Sequence, residues 1–199
     1  MQNNSGIYLD YNATTPCDPR VVEKMLPYFS EIYGNPSNGL HAQGRNSAKA
    51  IEYARDEVAN IIEARSEEIV FTSGATESDN LAILGVARYN KNSARRKIVT
   101  SAIEHKAVLQ ACKKLVEEGF ESKVLPVDSD GNISIEEARQ IIDDKTLLVT
   151  IHGANNEIGT IQPIQQLAEL AHKNGALFHC DGAQAVGKIP VNVNEWDVD

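Results

Sequence analysis

The order of apolar and polar residues along this chain follows two periods, one typical of buried strands and the other of amphipathic helices. Residues 147–151 form an apolar run rich in β-branched side chains, which predicts a buried strand. Residues 162–174 carry apolar side chains at helical spacing, and Gly175 is placed to end that helix with a positive φ. A second short run, residues 176–178, leads into the polar residues 179–184. Strand, helix and strand in this order predict a parallel crossover unit.

The same two periods recur through the rest of the chain. They predict helices over residues 19 to about 33 with a kink or stop at Pro27, 47–64, 81–87, 108–116 and 134 to about 143. They predict buried strands over residues 69–71, 97–100 and 123–127, and a short strand or extended arm over residues 7–11. Alternating strands and helices predict an α/β fold with a mostly parallel sheet flanked by helices.

Composition and charge narrow the class of protein. With 199 residues, of which 42% are hydrophobic, the chain can bury a sizeable core, and one main domain is expected. A formal net charge of -9 argues against binding to nucleic acid or to an anionic membrane. The three cysteines, Cys17, Cys112 and Cys180, contain no CxxC pair, so neither a disulfide framework nor a zinc site is indicated. A polar start and the lack of a long apolar run favour a cytoplasmic protein.

Polar clusters follow three of the predicted strands, at residues 72–76, 101–105 and 179–184. Because ligands bind at the carboxyl ends of parallel strands, these clusters mark the expected site. The first cluster places small and hydroxyl residues at a helix start, where N–H groups favour a phosphate, although ordinary helix capping also explains it. Asp181 ends an apolar strand and needs a cationic partner or several donors to stay ionised; a helix cap is the alternative.

Other candidate residues have simpler explanations. No ligand spacing links the histidines other than His105, so no metal site and no metal-dependent hydrolase is expected from His41, His152, His172 and His179. Lys188 lies past the strand end and is interpreted as a surface residue. If Cys180 and Asp181 belong to one strand, Cys180 faces the opposite side and fills the core. Together, a phosphate-binding turn, an acid, an amide and a histidine at one rim describe a pyridoxal-phosphate pocket.

Six segments carry a resemblance to one known family, in the family's order and spacing: LDYNATTP (residues 9–16), GNPSNGLHAQGR (34–45), EIVFTSGATESDNLAI (68–83), EHKAVL (104–109), NNEIGTIQPI (155–164) and HCDGAQAVGKIPV (179–191). They are similar to the class V, fold-type I cysteine desulfurases (NifS/IscS-like), which depend on pyridoxal 5′-phosphate. The likeness covers residues 7–199. It implies the large domain of the fold-type I transferases.

The resemblance assigns roles to individual residues. Ala75 and Thr76 resemble the turn that binds the cofactor phosphate. Asp181 resembles the aspartate bonded to the pyridine nitrogen. His105 resembles the histidine that stacks on the cofactor ring and moves protons, and it is the one catalytic residue carried over.

Two amides complete the implied site, since Asn156 and Gln184 resemble the partners of the cofactor's phenolic oxygen. The implied reaction converts L-cysteine to L-alanine and passes the sulfur to an enzyme persulfide. A sulfur-acceptor or scaffold protein then receives it for iron–sulfur cluster assembly or tRNA thiolation. The family resemblance also implies a homodimer.

Several family residues have no counterpart in this chain. The Schiff-base lysine, the persulfide cysteine, the arginine for the substrate carboxylate and two phosphate ligands lie beyond the position equivalent to Asp199. We therefore expect the N-terminal half of a desulfurase, truncated at the C-terminus and inactive alone. Residues 1–15 are expected to form an arm of the small domain and residues 16–199 part of the large domain. The alternatives are a selenocysteine lyase of the same fold and a non-catalytic half-subunit that requires complementation.

Overall fold

The computed structural model describes residues 6–199, so the first five residues of the predicted arm lie outside it. The chain divides into two compact units, one ending at Asn60 and the other running from Ile61 to Asp199. The predicted boundary after residue 15, between the arm and the large domain, stays a prediction. Residues 7–11 form no strand, and Ile7 and Leu9 are almost fully exposed. Among the described residues, no helix is both long and apolar enough to cross a membrane.

The first three helices are α1 (Pro19–Met25), α2 (Pro27–Ser30) and α3 (Ala42–Ile62). Asp18 caps α1 by accepting the Arg20 N–H at 2.8 Å, and Pro27 interrupts the helical run as predicted. Helix α3 starts at Ala42, earlier than the predicted residue 47. Its first turn is fixed by close packing of Gly44, where a Cβ would clash with Asn38 O, and not by apolar periodicity. That packing explains the missed helix start.

The second unit alternates helices and strands. In chain order these are α4 (Ala75–Tyr89), β1 (Lys97–Ser101), α5 (Lys106–Glu117), β2 (Glu121–Leu125), α6 (Ile135–Ile141), β3 (Thr146–His152), α7 (Ile164–Lys173) and β4 (Leu177–Asp181). The strands form one sheet in the order β2-β1-β3-β4, and every pairing is parallel. The α/β fold with a parallel sheet flanked by helices is therefore confirmed.

The two faces of the sheet bury different sets of side chains. One face packs against α6 and α7 and contains Val99, Val149, Ile151 and Phe178, with Cys180 packed against this core. The opposite face packs against α4 and α5 around Ile98 and Leu148. This alternation follows from the two-residue period of a strand. It confirms that Cys180 faces the side opposite to Asp181, where it is partly buried against the core.

The predicted buried strand at residues 69–71 is wrong. A 3-10 turn, Ser66–Glu68, precedes this segment, which forms no strand in the described chain. The side chains of Val70 and Phe71 are 67% and 51% exposed. A strand needs a neighbour to satisfy its backbone groups, and an apolar run predicts burial without identifying that neighbour.

Replacing Phe178 by Ala tests the assignment of the core. Phe178 is fully buried between the sheet and α7, so its truncation is expected to cost roughly 3–5 kcal/mol of unfolding free energy. Phe29→Ala is the matched control, because Phe29 is 77% exposed, and should cost less than about 1 kcal/mol. Urea denaturation of the natively expressed protein measures both. Equal losses for the two variants would contradict the core assignment.

Candidate functional site

Asp181 lies at the carboxyl end of β4, where the parallel register fixes its neighbours. In that register His152 of β3 pairs with Asp181, and Thr150 pairs with His179. Asp181 is only 8% exposed. Its Oδ1 accepts the Ala183 N–H at 2.9 Å, and its carbonyl accepts the Gly153 N–H at 2.9 Å. The carboxyl group is thus held at the sheet edge by backbone contacts on both sides.

A cleft of about 290 Å³ joins Asp181 to the start of α4. Its lining includes Ala75, Ser78 and Asp79 from α4, followed by residues 179–183 and Val186. The first helical hydrogen bonds of α4 are donated by Glu77 and Ser78 to Gly74 O. The N–H groups of Ala75 and Thr76 lie ahead of them at the positive end of the helix dipole. The cleft therefore has a buried carboxyl group on one wall and, on another, the start of a helix whose first N–H groups have no partner within the helix.

A loop on the cleft side of α4 is held rigid by its own side chains. The Ser73 N–H and hydroxyl both donate to Glu77 Oε2, at 2.7 and 2.5 Å. These bonds lower the pKa of Glu77, with the Ser73 hydroxyl making the larger contribution. A Cβ built on Gly74 meets nothing within 4 Å, so there is open space beside this turn.

His105 caps helix α5 instead of lining the cleft. Its Nδ1 accepts the Ala107 N–H at 3.2 Å, and the side chain is exposed. Because Nδ1 accepts, the ring proton of the neutral form lies on Nε2. The structure thus brings His105 to the same sheet edge, on the loop after β1, but its catalytic role stays a prediction.

Asn156 and Gln184 also stand on loops at this edge. The Asn156 side-chain amide donates to Glu157 Oε1 at 2.7 Å, and the Gln184 carbonyl accepts from Lys188 Nζ. Neither residue is among the described residues that line the cleft. Of the six predicted cofactor-binding residues, Ala75 and Asp181 line it directly, and Thr76 follows Ala75 on the helix.

The neighbouring Asn155 ties two of the site's loops together. This residue is 5% exposed, and its amide donates to Ile103 O at 2.9 Å, which links the loop after β3 to the loop before α5. Its Oδ1 accepts the N–H groups of Glu157 and Ile158 at 2.8 and 3.0 Å. Asn155 therefore positions Asn156 through the backbone.

Two acid–imidazole pairs lie near Asp181, one of them in the wall of the cleft, and neither histidine has a role predicted from the sequence. In the first pair, Asp79 Oδ1 is 3.8 Å from His179 Nε2, and His179 Nδ1 shares a 2.8 Å hydrogen bond with Thr150 Oγ1. Asp79 is 3% exposed, and its Oδ2 has no hydrogen-bond partner among the described residues.

In the second pair, Glu104 Oε2 is 3.5 Å from His152 Nδ1. Ser101 donates its hydroxyl to Glu104 Oε1 at 2.5 Å, while Glu104 Oε2 and His152 Nε2 lack hydrogen-bond partners in residues 6–199. The signal that could have revealed both histidines is the strand period. Residues 150 and 152, like residues 179 and 181, share one face of the sheet.

The buried acids of this region have no cationic side chain paired with them in the described residues. Within the described residues, no Lys or Arg forms an ion pair with Asp79, Glu104 or Asp181. Burial raises the pKa of Asp79 to about 7 and that of Glu104 to about 8, and the charge of Asp181 adds to both effects. Burial lowers the pKa values of His152 and His179, against the opposing effect of Asp181. Near neutral pH, Glu104 is therefore protonated and both imidazoles are neutral.

The described residues contain no group of three or more His, Cys, Asp or Glu side chains arranged to hold a metal ion. The cleft provides a buried acid, helix N–H donors and polar loops.

The sequence profile of the family described as Aminotransferase class-V matches residues 7–199. The chain belongs to this family.

Individual relatives agree with the family assignment. The chain is 52% identical over 199 residues to a mitochondrial cysteine desulfurase of Arthroderma benhamiae, covering 100% of this chain and 40% of that protein. It is 47% identical over 196 residues to the cysteine desulfurase IscS of Rickettsia felis, covering 98% of this chain and 48% of the relative. This chain thus spans about half the length of these relatives or less.

Solved structures share the fold. A protein described as NifS-like superposes with a TM-score of 0.93 at 42% identity, over 97% of this chain and 53% of that chain. A structure of SspA in complex with cysteine superposes with a TM-score of 0.92 at 39% identity, over 96% of this chain and 55% of that chain. Together with the family match, they confirm the resemblance to the NifS/IscS-like proteins and the fold-type I assignment.

Replacing Glu104 by Gln tests the buried acid. A folded-state pKa of about 8 lies above the ordinary value of 4.5, so between these pH values the folded protein holds a proton that the unfolded chain has lost. The unfolding free energy of the wild type therefore falls as pH rises through this window. Glu104→Gln has no such dependence, so its stability relative to the wild type should increase by up to about 1.4 kcal/mol per pH unit in this window.

Urea denaturation between pH 5 and pH 8 measures that difference. Glu195→Gln is the matched control at an exposed position, and its difference from the wild type should stay flat. A flat difference for Glu104→Gln as well would show that Glu104 is ionised in the folded protein.

Proposed function

We propose that this chain forms the cofactor-binding part of a cysteine desulfurase that uses pyridoxal 5′-phosphate. The observation that carries the proposal is the buried Asp181 carboxyl group, which has no Lys or Arg ion pair in the described chain and faces a cleft shared with the start of α4. A protonated pyridine nitrogen would supply the missing cation. The N–H groups of Ala75 and Thr76 would donate to the phosphate.

The acid and the N–H donors of the cleft match the ring nitrogen and the phosphate of this cofactor. When bound, pyridoxal phosphate supplies an electron sink for negative charge at the Cα of an amino acid. Asp181 would hold the proton on the ring nitrogen, which strengthens that sink. Asn156 and Gln184 would bind the phenolic oxygen after turning from their present partners, Glu157 and Lys188.

His105 is proposed to stack on the ring and to move protons at the substrate Cα. Its position supports this role in one respect, because the N-cap contact leaves Nε2 available on an exposed ring at the sheet edge. An imidazole nitrogen can accept a proton and return it. Leaving the capping position would cost α5 one backbone partner.

The relatives support the reaction and the substrate. Those from Arthroderma benhamiae and Rickettsia felis are named cysteine desulfurases, and one solved relative was in complex with cysteine. The proposed reaction converts L-cysteine to L-alanine, with transfer of the sulfur to an acceptor or scaffold protein. Iron–sulfur cluster assembly, tRNA thiolation, a homodimer and a cytoplasmic location belong to the same proposal. Because the chain spans half of its relatives or less, all of these apply to a protein that also supplies the other family residues.

Replacing Asp181 by Asn tests the proposed contact with the ring nitrogen. The amide keeps the shape of the side chain and removes its charge, so the affinity for pyridoxal phosphate should fall by a factor of about ten or more. Titration of the natively expressed protein by absorbance measures the dissociation constant. Asp144→Asn is the matched control, because Asp144 is exposed after α6, and should leave the affinity unchanged. Unchanged binding in Asp181→Asn would refute the contact.

The 199-residue chain alone is expected to form no alanine from L-cysteine. The resemblance assigns the Schiff-base lysine and the persulfide cysteine to positions that this sequence does not contain. Alanine and sulfide assays on the purified chain, and on the natively expressed protein, test the expectation. Alanine formation by the 199 residues would contradict it. A strong preference for selenocysteine in the native protein would indicate the lyase, and activity only with an added complementing chain would indicate a half-subunit.

A further inference from the structure

Asp79 is a second buried carboxyl group in the cleft, and the proposed reaction assigns it no role. It lies on α4, is 3% exposed and lines the same cleft as Asp181. Its Oδ2 accepts no hydrogen bond from the residues that the structure describes, which leaves a desolvated oxygen beside the proposed ring site. Such an oxygen is costly unless it is protonated or meets a ligand.

The groups that face Asp79 come from each element packed against α4. On β4 these are His179, whose Nε2 is 3.8 Å from Asp79 Oδ1, and Asp181. Thr150 on β3 holds His179 Nδ1 at 2.8 Å and so fixes the ring. The other titratable groups of this layer are His152 on β3, Glu104 before α5 and the buried Cys112 on α5.

This environment contains acids and neutral imidazoles, and within residues 6–199 no Lys or Arg forms an ion pair with its acids. The charge of the cleft is therefore set by how many of its carboxyl groups hold a proton. Asp181 and Asp79 are the two carboxyl groups among the described residues that line it. Glu104 lies behind them, paired with Ser101.

We infer that Asp79, with His179, is a positioning residue that sets the charge around Asp181 and so makes the binding of a cationic ring nitrogen depend on pH. This inference rests on the proposed function. Asp79 does not itself contact the ring in this account. It acts through the shared electrostatic environment of the cleft.

The direction of the effect follows from the charges. Burial raises the pKa of Asp79 to about 7, so the group is neutral in weak acid and anionic above neutral pH. As pH rises, one further negative charge enters the cleft beside Asp181 and favours a cation there. Affinity for the cationic ring should therefore increase by about three- to tenfold through this group, the size expected for one added charge in a partly screened site.

The first experiment needs no cofactor. In the natively expressed, cofactor-free protein, the imidazole nitrogen resonances of His179 should shift with an inflection near neutral pH, because Nε2 lies beside Asp79 Oδ1. Asp79→Asn keeps the side-chain shape and should remove this inflection, while the exposed control Asp144→Asn should retain it. An unchanged inflection in Asp79→Asn would overturn the pairing. If the Asn variant does not fold, Asp79→Ser provides the same test.

The closing experiment measures pyridoxal-phosphate dissociation constants of the wild type and Asp79→Asn from pH 6 to pH 8. The titration of the cofactor itself cancels in the ratio of the two constants. That ratio should move by about three- to tenfold in favour of the wild type as pH rises. A constant ratio with normal binding would overturn this inference alone. Failure of the wild type to bind at any pH would overturn the proposed function, and the inferred ligand with it.

Discussion

The parallel pairing of β3 with β4 is the constraint on which the site depends. Its register sets His152 beside Asp181 and Thr150 beside His179, so that polar side chains from two strands share one face. The other face of the same strands carries Val149, Ile151 and Phe178 into the core against α7. A slip of one residue would exchange the two faces and bury the wrong set. The packing of Phe178 therefore also fixes the direction of Asp181.

The same arrangement buries several acids without a paired cation in the described chain. Acids from α4, from the loop before α5 and from the end of β4 are buried within one layer, and the described residues provide no lysine or arginine ion pair to them. Desolvation keeps the proton on Glu104 near neutral pH and raises the pKa of Asp79 to about 7, so Asp79 shares the cleft with Asp181 as a group that loses its proton around neutral pH. A cationic ring nitrogen would form an ion pair with Asp181. Binding of the proposed cofactor would therefore stabilise this layer.

Features encoded by local periodicity could be predicted from the sequence, and features encoded by distant partners could not. The strand at residues 147–151, the orientation of Cys180 and the position of Asp181 at the sheet edge followed from alternation and from the polar strand end. Residues 69–71 have the composition of a strand but no strand partner in the described chain, so their prediction was wrong. The strand period could place His152 on the same face as Thr150 and His179 on the same face as Asp181, but their common neighbourhood depends on the pairing of β3 with β4, which no spacing within either segment reveals.

The central claim is that the Asp181 carboxyl group binds the ring nitrogen of pyridoxal phosphate at the start of α4. A crystal structure of the natively expressed protein with added pyridoxal phosphate tests it most directly. The account predicts the ring nitrogen about 3 Å from an Asp181 carboxyl oxygen and the phosphate at the N–H groups of Ala75 and Thr76. A cofactor bound elsewhere, or oriented with its phosphate toward Asp181, would contradict it.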